Sequence, residues 1–131
     1  MTEDRKTLIR YRLQCALETM DDAEALANDG RWRSTANRLY YAAFYAIIAL
    51  LLVNDLQSKK HSGVRALFLR HFVHTGTFSE ELADTYKWLF DTRMKSDYTD
   101  MLDIDPAKIR NAIEPTRALI TRAQELIEEE L

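Results

Sequence analysis

The feature that most limits how this chain can fold is a run of 15 uncharged residues, LYYAAFYAIIALLLV, from Leu39 to Val53. The run is shorter than the roughly 18 apolar residues that suggest a membrane span. We therefore interpret it as part of a helix that is buried on nearly all sides. A helix of this kind has to be surrounded by other elements, so we expect it to lie at the centre of the fold.

Four further helices are predicted from apolar residues that recur with helical spacing. With the central helix, they cover about residues 3–28, 31–53, 62–74 and 79–94 and a last stretch from about residue 105, whose tail EEEL (residues 128–131) is expected to be frayed. Ser79 and Asp105 stand at N-cap positions, and Pro106 suits the first position of a helix. Pro115 removes a backbone donor and predicts a kink or a break in the last helix.

These helices are joined by short loops, and the chain has only 3 Gly and 2 Pro in 131 residues. Few helix-breaking residues favour long helices over many short strands. We therefore predict an all-α fold, an up-and-down antiparallel four-helix bundle with an additional short helix. No second domain can be separated, so residues 1–131 are predicted to form one domain.

The net charge of −3 conceals a basic segment. Between Gly30 and Thr75 there are seven Lys or Arg residues and one acidic residue, Asp55, which gives this segment a charge of +6. All three histidines of the chain also lie in it. A basic region within an acidic protein favours a ligand that contains phosphate, but it is not the pattern of a dedicated duplex-DNA binder.

The single cysteine, Cys15, excludes an intrachain disulfide. Its position in an apolar stripe predicts a small core residue in a reducing compartment. The first residues, MTEDRKTLIRYR, contain charges of both signs and no apolar signal segment. These observations predict a cytoplasmic protein.

Two stretches contain residues that could bind a ligand. The central helix places Asn37 and Arg38 beside tyrosines in ANRLYYAAFYA, which favours either tyrosines with their hydroxyls at the rim of the core or a polar cleft. Lys60 and His61 precede a predicted helix start, where they could form an anion site or a solvated basic turn. Zinc needs three or four protein ligands, and no such set is apparent, so no metal is expected.

A third stretch, FDTRMKSDYTD, follows the apolar part of the fourth helix. Helical spacing places Arg93, Asp97 and Asp100 on one face, which continues the apolar stripe of Tyr86 and Phe90. A charge that points inward should be paired or should line a cleft or a subunit interface. We therefore expect Arg93 either to pair with Asp97 or to line a cleft or an interface.

Four segments, in this order and with short spacers, resemble the HEPN superfamily and in particular its small stand-alone prokaryotic branch: ANRLYYAAFYA, KHSGVRALF, FVHTGTFS and LFDTRMKSDYTD. The resemblance implies an antiparallel helical bundle, often dimeric, that is commonly paired with a minimal nucleotidyltransferase in toxin–antitoxin modules. It also implies that active members are metal-independent ribonucleases. Their motif is Arg followed about four to six residues later by His, a pair suited to proton transfer and phosphate binding.

In this chain Arg93 matches the Arg of that motif and is the candidate catalytic residue. Tyr98 stands where His is expected, and no His follows residue 74. Because the resemblance is to proteins whose partner modifies a nearby tyrosine, Tyr98 is the candidate modified residue.

The resemblance therefore implies a nucleotide- or RNA-binding component of a toxin–antitoxin-like pair with a minimal nucleotidyltransferase. The alternatives are a metal-independent ribonuclease toxin and a non-catalytic helical scaffold or dimerisation module. No cofactor is expected. The protein is expected to form a homodimer. The predicted ligand cleft comprises seven residues: Asn37, Arg38, Tyr41, Lys60, His61, Arg93 and Asp97.

Overall fold

The computed structural model describes residues 1–98 and 104–131, the first range without the side chains of residues 96–98. Within these residues there are five α-helices and no strand. The helices are α1 (Glu3–Asn28), α2 (Trp32–Val53), α3 (His61–Phe68), α4 (Glu80–Tyr98) and α5 (Pro106–Glu130). The predicted all-α fold, with four long helices and one short helix, is confirmed.

The central position of α2 is also confirmed, because α1, α3, α4 and α5 all pack against it. By length and composition α2 could also cross a membrane, but 61% of its most apolar 18-residue window is buried within the fold. This burial is the pattern of a core helix. Its apolar side chains stabilise the bundle by leaving water as the surrounding helices close on them.

The predicted helix ends are formed as expected. Gly30 follows α1 with a positive φ of 71°, a conformation that glycine adopts without a steric penalty. The Ser79 hydroxyl accepts a hydrogen bond from the backbone N–H of Leu82 at 3.2 Å. The Asp105 carboxylate accepts one from Ala107 at 3.0 Å. These caps satisfy amide groups that have no partner within the helix.

Of the kink or break predicted at Pro115, the break is absent, because α5 is one helix from Pro106 to Glu130. Pro115 lacks an N–H, so the carbonyl one turn earlier, that of the exposed Asn111, loses its helical donor. The carbonyl oxygen of Ala112, the next residue, accepts an additional hydrogen bond from the buried Thr116 hydroxyl at 2.7 Å. Buried residues on both sides of Pro115 hold the two halves against the core.

The third predicted helix differs in its second half, where residues Leu69–Val73 form a π-helical segment. The wider turn accompanies a cluster of three aromatic rings. Phe78 lies edge-on to Phe68 at 5.0 Å and to Phe72 at 6.4 Å between ring centroids. Cys15 also differs from expectation, since it is half-buried rather than part of the core.

Candidate functional site

Three aromatic rings on one face of α2 form the base of the candidate site. The centroid of the Tyr40 ring lies 5.2 Å from that of Tyr41, in an edge-on arrangement, and 5.9 Å from that of Phe44. Tyr40 is fully buried, whereas Tyr41 and Phe44 are half-buried. We call these three rings the aromatic platform. It places flat apolar surface and phenol hydroxyls at the boundary between core and solvent.

His61, the first residue of α3, lies against the aromatic platform. Its ring is parallel to that of Phe44, with centroids 4.3 Å apart and an angle of 8° between the planes. Its Nδ1 lies 2.7 Å from the Tyr40 hydroxyl oxygen. The stacked ring and the hydrogen bond together fix the orientation of this imidazole.

The loop before α3 sets the position of His61. The Ser58 hydroxyl accepts a hydrogen bond from the backbone N–H of Lys60 at 3.3 Å. Ser58 also contacts Gly63 so closely that a Cβ on that glycine would overlap the serine hydroxyl. Gly63 therefore lets the loop pack directly on the first turn of α3, which brings His61 to α2.

Two guanidinium groups flank the aromatic platform. The Cζ of Arg93, from α4, lies 5.4 Å from the ring centroids of both Tyr40 and Tyr41. The Cζ of Arg38 lies 5.2 Å from the Tyr41 centroid, and its Nε and Nη2 donate to Asn37 Oδ1 at 3.1 and 2.7 Å. Cations at such distances are attracted to the faces of aromatic rings by about 0.5–2 kcal/mol. Two guanidinium groups therefore lie near the Tyr41 ring.

Polar groups continue beneath the platform. The Tyr86 hydroxyl is buried and has no hydrogen bond of good geometry among the described residues. Burial, and then the nearby Tyr40, raise the pKa of Tyr86 well above the usual phenol value, while Arg65 and Arg93 act in the opposite direction. The Arg65 guanidinium lies over the Phe90 ring at 4.8 Å. The core below the site therefore contains a neutral phenol within the field of two cations.

On its other side Arg93 borders a cleft of about 180 Å³ between α2, α4 and the start of α5. Four basic side chains and one carboxylate are among the residues that line it: Arg33, Ala36, Asn37, Trp88, Thr92, Arg93, Lys95, Ile104, Asp105, Lys108 and Ile109. Of the predicted cleft residues whose side chains the structure describes, Asn37 and Arg93 line this one. Arg93 thus borders both the cleft and the aromatic platform.

The structure brings four of the predicted residues together at the platform: Arg38, Tyr41, His61 and Arg93. Asn37 contacts the site through its bond to Arg38, and Lys60 is exposed at the start of α3. The side chains of Asp97 and Tyr98 lie outside the described residues, so the Arg93–Asp97 pair and the modification of Tyr98 stay predictions. The prediction also omitted Tyr40, which orients His61, and Phe44, which stacks on it. Helical spacing on α2 indicated that these two aromatic residues lie near one another. It did not indicate that His61 of α3 would contact them.

Among the residues that the structure describes, no group of three or more His, Cys, Asp or Glu side chains could hold a metal ion. The groups that the described residues bring to the platform are guanidinium, phenol and imidazole. Guanidinium suits phosphate, because its fixed N–H donors match the oxygens of a phosphate group. Imidazole suits proton transfer near neutral pH.

Comparison with known proteins decides the family. The model of the HEPN domain matches residues 9–127, nearly the whole chain. The chain belongs to the HEPN domain family. The resemblance inferred from the sequence is confirmed, and it agrees with the helical fold and with the position of Arg93 late in α4.

Several curated relatives are similar to this chain over much of their length. A UPF0332 protein of Thermotoga maritima is 36% identical over 126 residues, which cover 96% of both chains. Two proteins of Methanocaldococcus jannaschii carry the name "Putative toxin". One is 32% identical over 76% of this chain and 74% of its own length, and the other is 30% identical over 70% and 63%. These names support a toxin-like family.

Proposed function

We propose that this HEPN protein is a toxin-like component that binds single-stranded RNA or nucleotides through the aromatic platform. The observation that supports this most directly is the position of two guanidinium groups, Arg38 and Arg93, over the Tyr40 and Tyr41 rings. Proteins that bind single strands combine cations for the phosphates with aromatic rings on which bases stack. Tyr41 is half-buried and lies near both cations, so it is the ring proposed to meet a base.

The charge distribution favours the same class of ligand. Arg38, His61 and Arg65 all belong to the segment with a charge of +6, and this segment forms most of α2 and α3. The rest of the chain is acidic. A basic segment within an acidic chain favours a short stretch of single-stranded backbone over the long, regular backbone of duplex DNA.

The proposed partner is a minimal nucleotidyltransferase, and the pair is proposed to act as a toxin–antitoxin-like module. The support is the HEPN family and the names of the two M. jannaschii relatives. Co-expression with a nucleotidyltransferase encoded beside this chain, followed by purification through a tag on one protein, tests the pairing. Failure to co-purify would remove the partner from the proposal and leave the ligand unchanged.

The ligand proposal is tested with a fluorescent 2′-O-methyl oligonucleotide, which has RNA-like backbone and bases but cannot be cleaved through its 2′ oxygen. Fluorescence anisotropy over a range of salt concentrations gives the affinity and its salt dependence. We expect Arg93→Ala to weaken binding by about tenfold or more. We also expect the slope of log affinity against log salt to fall by about 0.7, the value for one lost contact to a single-strand phosphate.

Arg110→Ala is the matched control, because Arg110 also lies over an aromatic ring, that of Trp32, at 4.9 Å. Arg110 is on α5, away from the aromatic platform, so its loss should leave affinity and salt slope unchanged. Absence of binding by the wild type, or equal losses in both variants, would contradict the proposal. If Arg93→Ala lowered only the melting temperature, the protein would instead be a non-catalytic scaffold.

A second candidate is a metal-independent ribonuclease toxin. This function needs an imidazole close to the phosphate-binding Arg, and the chain has none after residue 74. The observation in its favour is that His61 and Arg93 meet the same two tyrosine rings. Growth arrest upon expression, lost in Arg93→Ala, is the cellular result expected of this candidate.

A further inference from the structure

Three basic side chains besides Arg93 line the cleft of about 180 Å³ between α2, α4 and the start of α5. They come one from each helix: Arg33 from α2, Lys95 from α4 and Lys108 from α5. All three are exposed, and within the part of the chain that the structure describes none of them forms an ion pair. Cations that converge on one cleft from three helices favour an anion as its ligand. We call this the basic cleft.

Other polar groups of the basic cleft are compatible with an anion. The Asp105 carboxylate, which also lines the cleft, caps α5 by accepting a hydrogen bond from the backbone N–H of Ala107 at 3.0 Å. Half-buried Asn37 accepts both hydrogen bonds from Arg38 through its Oδ1. The amide nitrogen of Asn37, a donor, is therefore the group that it can offer to a ligand.

The size of the basic cleft limits what it can bind. Clefts that enclose a whole small-molecule ligand usually measure about 300–1,000 Å³, whereas this one measures about 180 Å³. The volume suits one phosphate group better than a whole nucleotide. A phosphate within a strand has a nucleotide on each side, but a phosphate at the end of a strand has only one. The terminal group also has about 1.5–2 negative charges at pH 7, against a single charge on each internal phosphate.

The basic cleft adjoins the surface that leads to the aromatic platform. A neighbouring depression of about 450 Å³ shares two lining residues with it, Arg33 and Asn37, and is also lined by Arg38. The Arg38 guanidinium in turn lies 5.2 Å from the Tyr41 centroid. Arg33, Asn37 and Tyr41 follow one another on α2 at steps of about 6 Å along the helix axis, so they share one face. A strand that ends in the basic cleft can therefore continue past Arg38 to the platform.

We propose that the basic cleft binds a terminal phosphate monoester of a single-stranded RNA whose following bases lie on the aromatic platform. The proposal rests on the RNA binding proposed above and adds a preference for strands that end in phosphate. Arg33 provides paired N–H donors for phosphate oxygens, while Lys95 and Lys108 act as point charges beside them. Neither Arg93 nor His61 is required to contact this phosphate.

Three 2′-O-methyl oligonucleotides of one sequence, each with an internal fluorophore, test the proposal. One has a 5′-phosphate, one a 3′-phosphate, and one has hydroxyls at both ends. Fluorescence anisotropy gives the Kd of each strand, and the Kd of the hydroxyl-ended strand divided by that of a phosphate-ended strand is the phosphate preference. We expect a preference of about tenfold for one of the two phosphate ends, which identifies the end that is bound. Inorganic phosphate should compete with that strand and not with the hydroxyl-ended one.

Variants of exposed residues separate the basic cleft from the general charge of the protein. Lys108→Gln and Arg33→Gln should each lower the phosphate preference to about threefold or less, since each removes one charged contact. Asp105→Asn should raise it, because asparagine keeps the N-cap of α5 and removes a negative charge from the cleft. Arg110→Gln is the matched control. It removes a cation from the same helix within one turn of Lys108, and Arg110 is not among the described residues that line the cleft.

The outcomes distinguish this proposal from the RNA binding on which it rests. Equal Kd values for the three strands would overturn the terminal-phosphate site and keep the binding function. A preference that falls as far in Arg110→Gln as in Lys108→Gln, or that does not rise in Asp105→Asn, would also overturn it. Wild-type protein that binds none of the strands would refute both. A preference that falls in Lys108→Gln, rises in Asp105→Asn and is unchanged in the control would establish the site.

Discussion

The two opposite faces of α2 differ in what they do. One face consists of alanine and leucine side chains that are at most 1% exposed: Leu39, Ala42, Ala43, Ala46, Ala49 and Leu50. The other face contains the aromatic platform, with phenol hydroxyls, a histidine and two arginines around it. We call them the alanine face and the aromatic face. Helical periodicity places them on opposite sides of the same helix.

The difference teaches how one helix can stabilise a small bundle and also present a site. Small side chains on the alanine face let neighbouring helices approach closely, so that face is filled by close contact of apolar atoms. On the aromatic face, large rings contact side chains of α3 and α4. They leave room at the rim for cations and for the half-buried Tyr41 and His61. Changes to the first face should therefore affect folding, and changes to the second should affect the ligand.

The largest effect is expected on the alanine face. Leu50→Ala removes a side chain that is 1% exposed and leaves a cavity, so the free energy of unfolding should fall by about 2–5 kcal/mol. Urea denaturation followed by circular dichroism measures this loss. The folded fraction should bind the 2′-O-methyl oligonucleotide with wild-type affinity, because Leu50 is on the face opposite the platform.

Leu8→Ala is the matched control, since Leu8 on α1 is 42% exposed and little apolar area leaves water there. It should cost well under about 1 kcal/mol. Similar losses in Leu8→Ala and Leu50→Ala would show that the alanine face is not the main source of stability.

A smaller loss of stability is expected from the ionic contacts that join α1 to α5. Arg117 donates to the Glu24 carboxylate at 2.8 and 3.0 Å and lies 3.5 Å from Asp21. The bond to Glu24 is the main reason why the pKa of Arg117 is raised. Because these groups are partly exposed, Arg117→Ala should lower the free energy of unfolding by only about 0.5–1 kcal/mol, and less at high salt.

The control for this variant is Lys87→Ala, which removes an ion pair of 4.0 Å between neighbouring turns of α4. It joins no two helices and should change stability less than Arg117→Ala does in the same denaturation experiment. An equal effect of both variants would mean that the link between α1 and α5 contributes no more than an ordinary surface pair.

The smallest effect at neutral pH is expected beneath the aromatic face. Tyr86→Phe removes a buried hydroxyl that has no hydrogen bond of good geometry among the described residues. Stability at pH 7 should therefore stay equal to that of the wild type or rise by up to about 1 kcal/mol. The same change to most buried tyrosines would lower stability, because their hydroxyls are bonded.

The alkaline behaviour of Tyr86→Phe gives a second measurement. The pKa of Tyr86 is raised above the usual value of 10.0, mainly by burial. Below that pH the phenol keeps its proton in both states, so its ionisation does not affect stability. Above it, the unfolded chain loses the proton first, and the free energy of unfolding falls as pH rises. Phenylalanine removes this contribution. The free energy of unfolding of the variant, relative to that of the wild type, should therefore be higher at about pH 10.5 than at about pH 7. A constant difference across that range would contradict the assignment.

Much of the fold could be predicted from local sequence patterns. The bounds of α1, the start of α2 to within one residue, and the caps at Ser79 and Asp105 all follow from periodicity and capping preferences. Pro115 shows what such rules leave open, since they allowed either a kink or a break and α5 is not broken there. A proline has a local cost, but burial on both sides of it holds α5 together, and burial is a property of the assembled bundle.

The candidate site was predicted only in part, for a related reason. The sequence marked Arg38, Tyr41 and Arg93 as polar or charged groups on otherwise apolar helices. It also marked His61, but as part of a helix-start anion site and not as a partner of Tyr40. The pairing depends on the loop between α2 and α3, where Ser58 packs against Gly63. No periodic pattern predicts how such a loop returns to the helix it has left.

By itself, the sequence determined that this chain is a helical bundle around one apolar helix and that it is a HEPN protein. These properties depend on periodicity and on the order of short segments, both of which are local. Only the tertiary structure decided which charged groups share a surface. His61 and Arg93 lie on different helices, and both reach the Tyr40–Tyr41 pair because α3 and α4 pack on the same face of α2. Contacts between distant segments depend on how whole helices pack, and side-chain spacing within one helix contains no information about them.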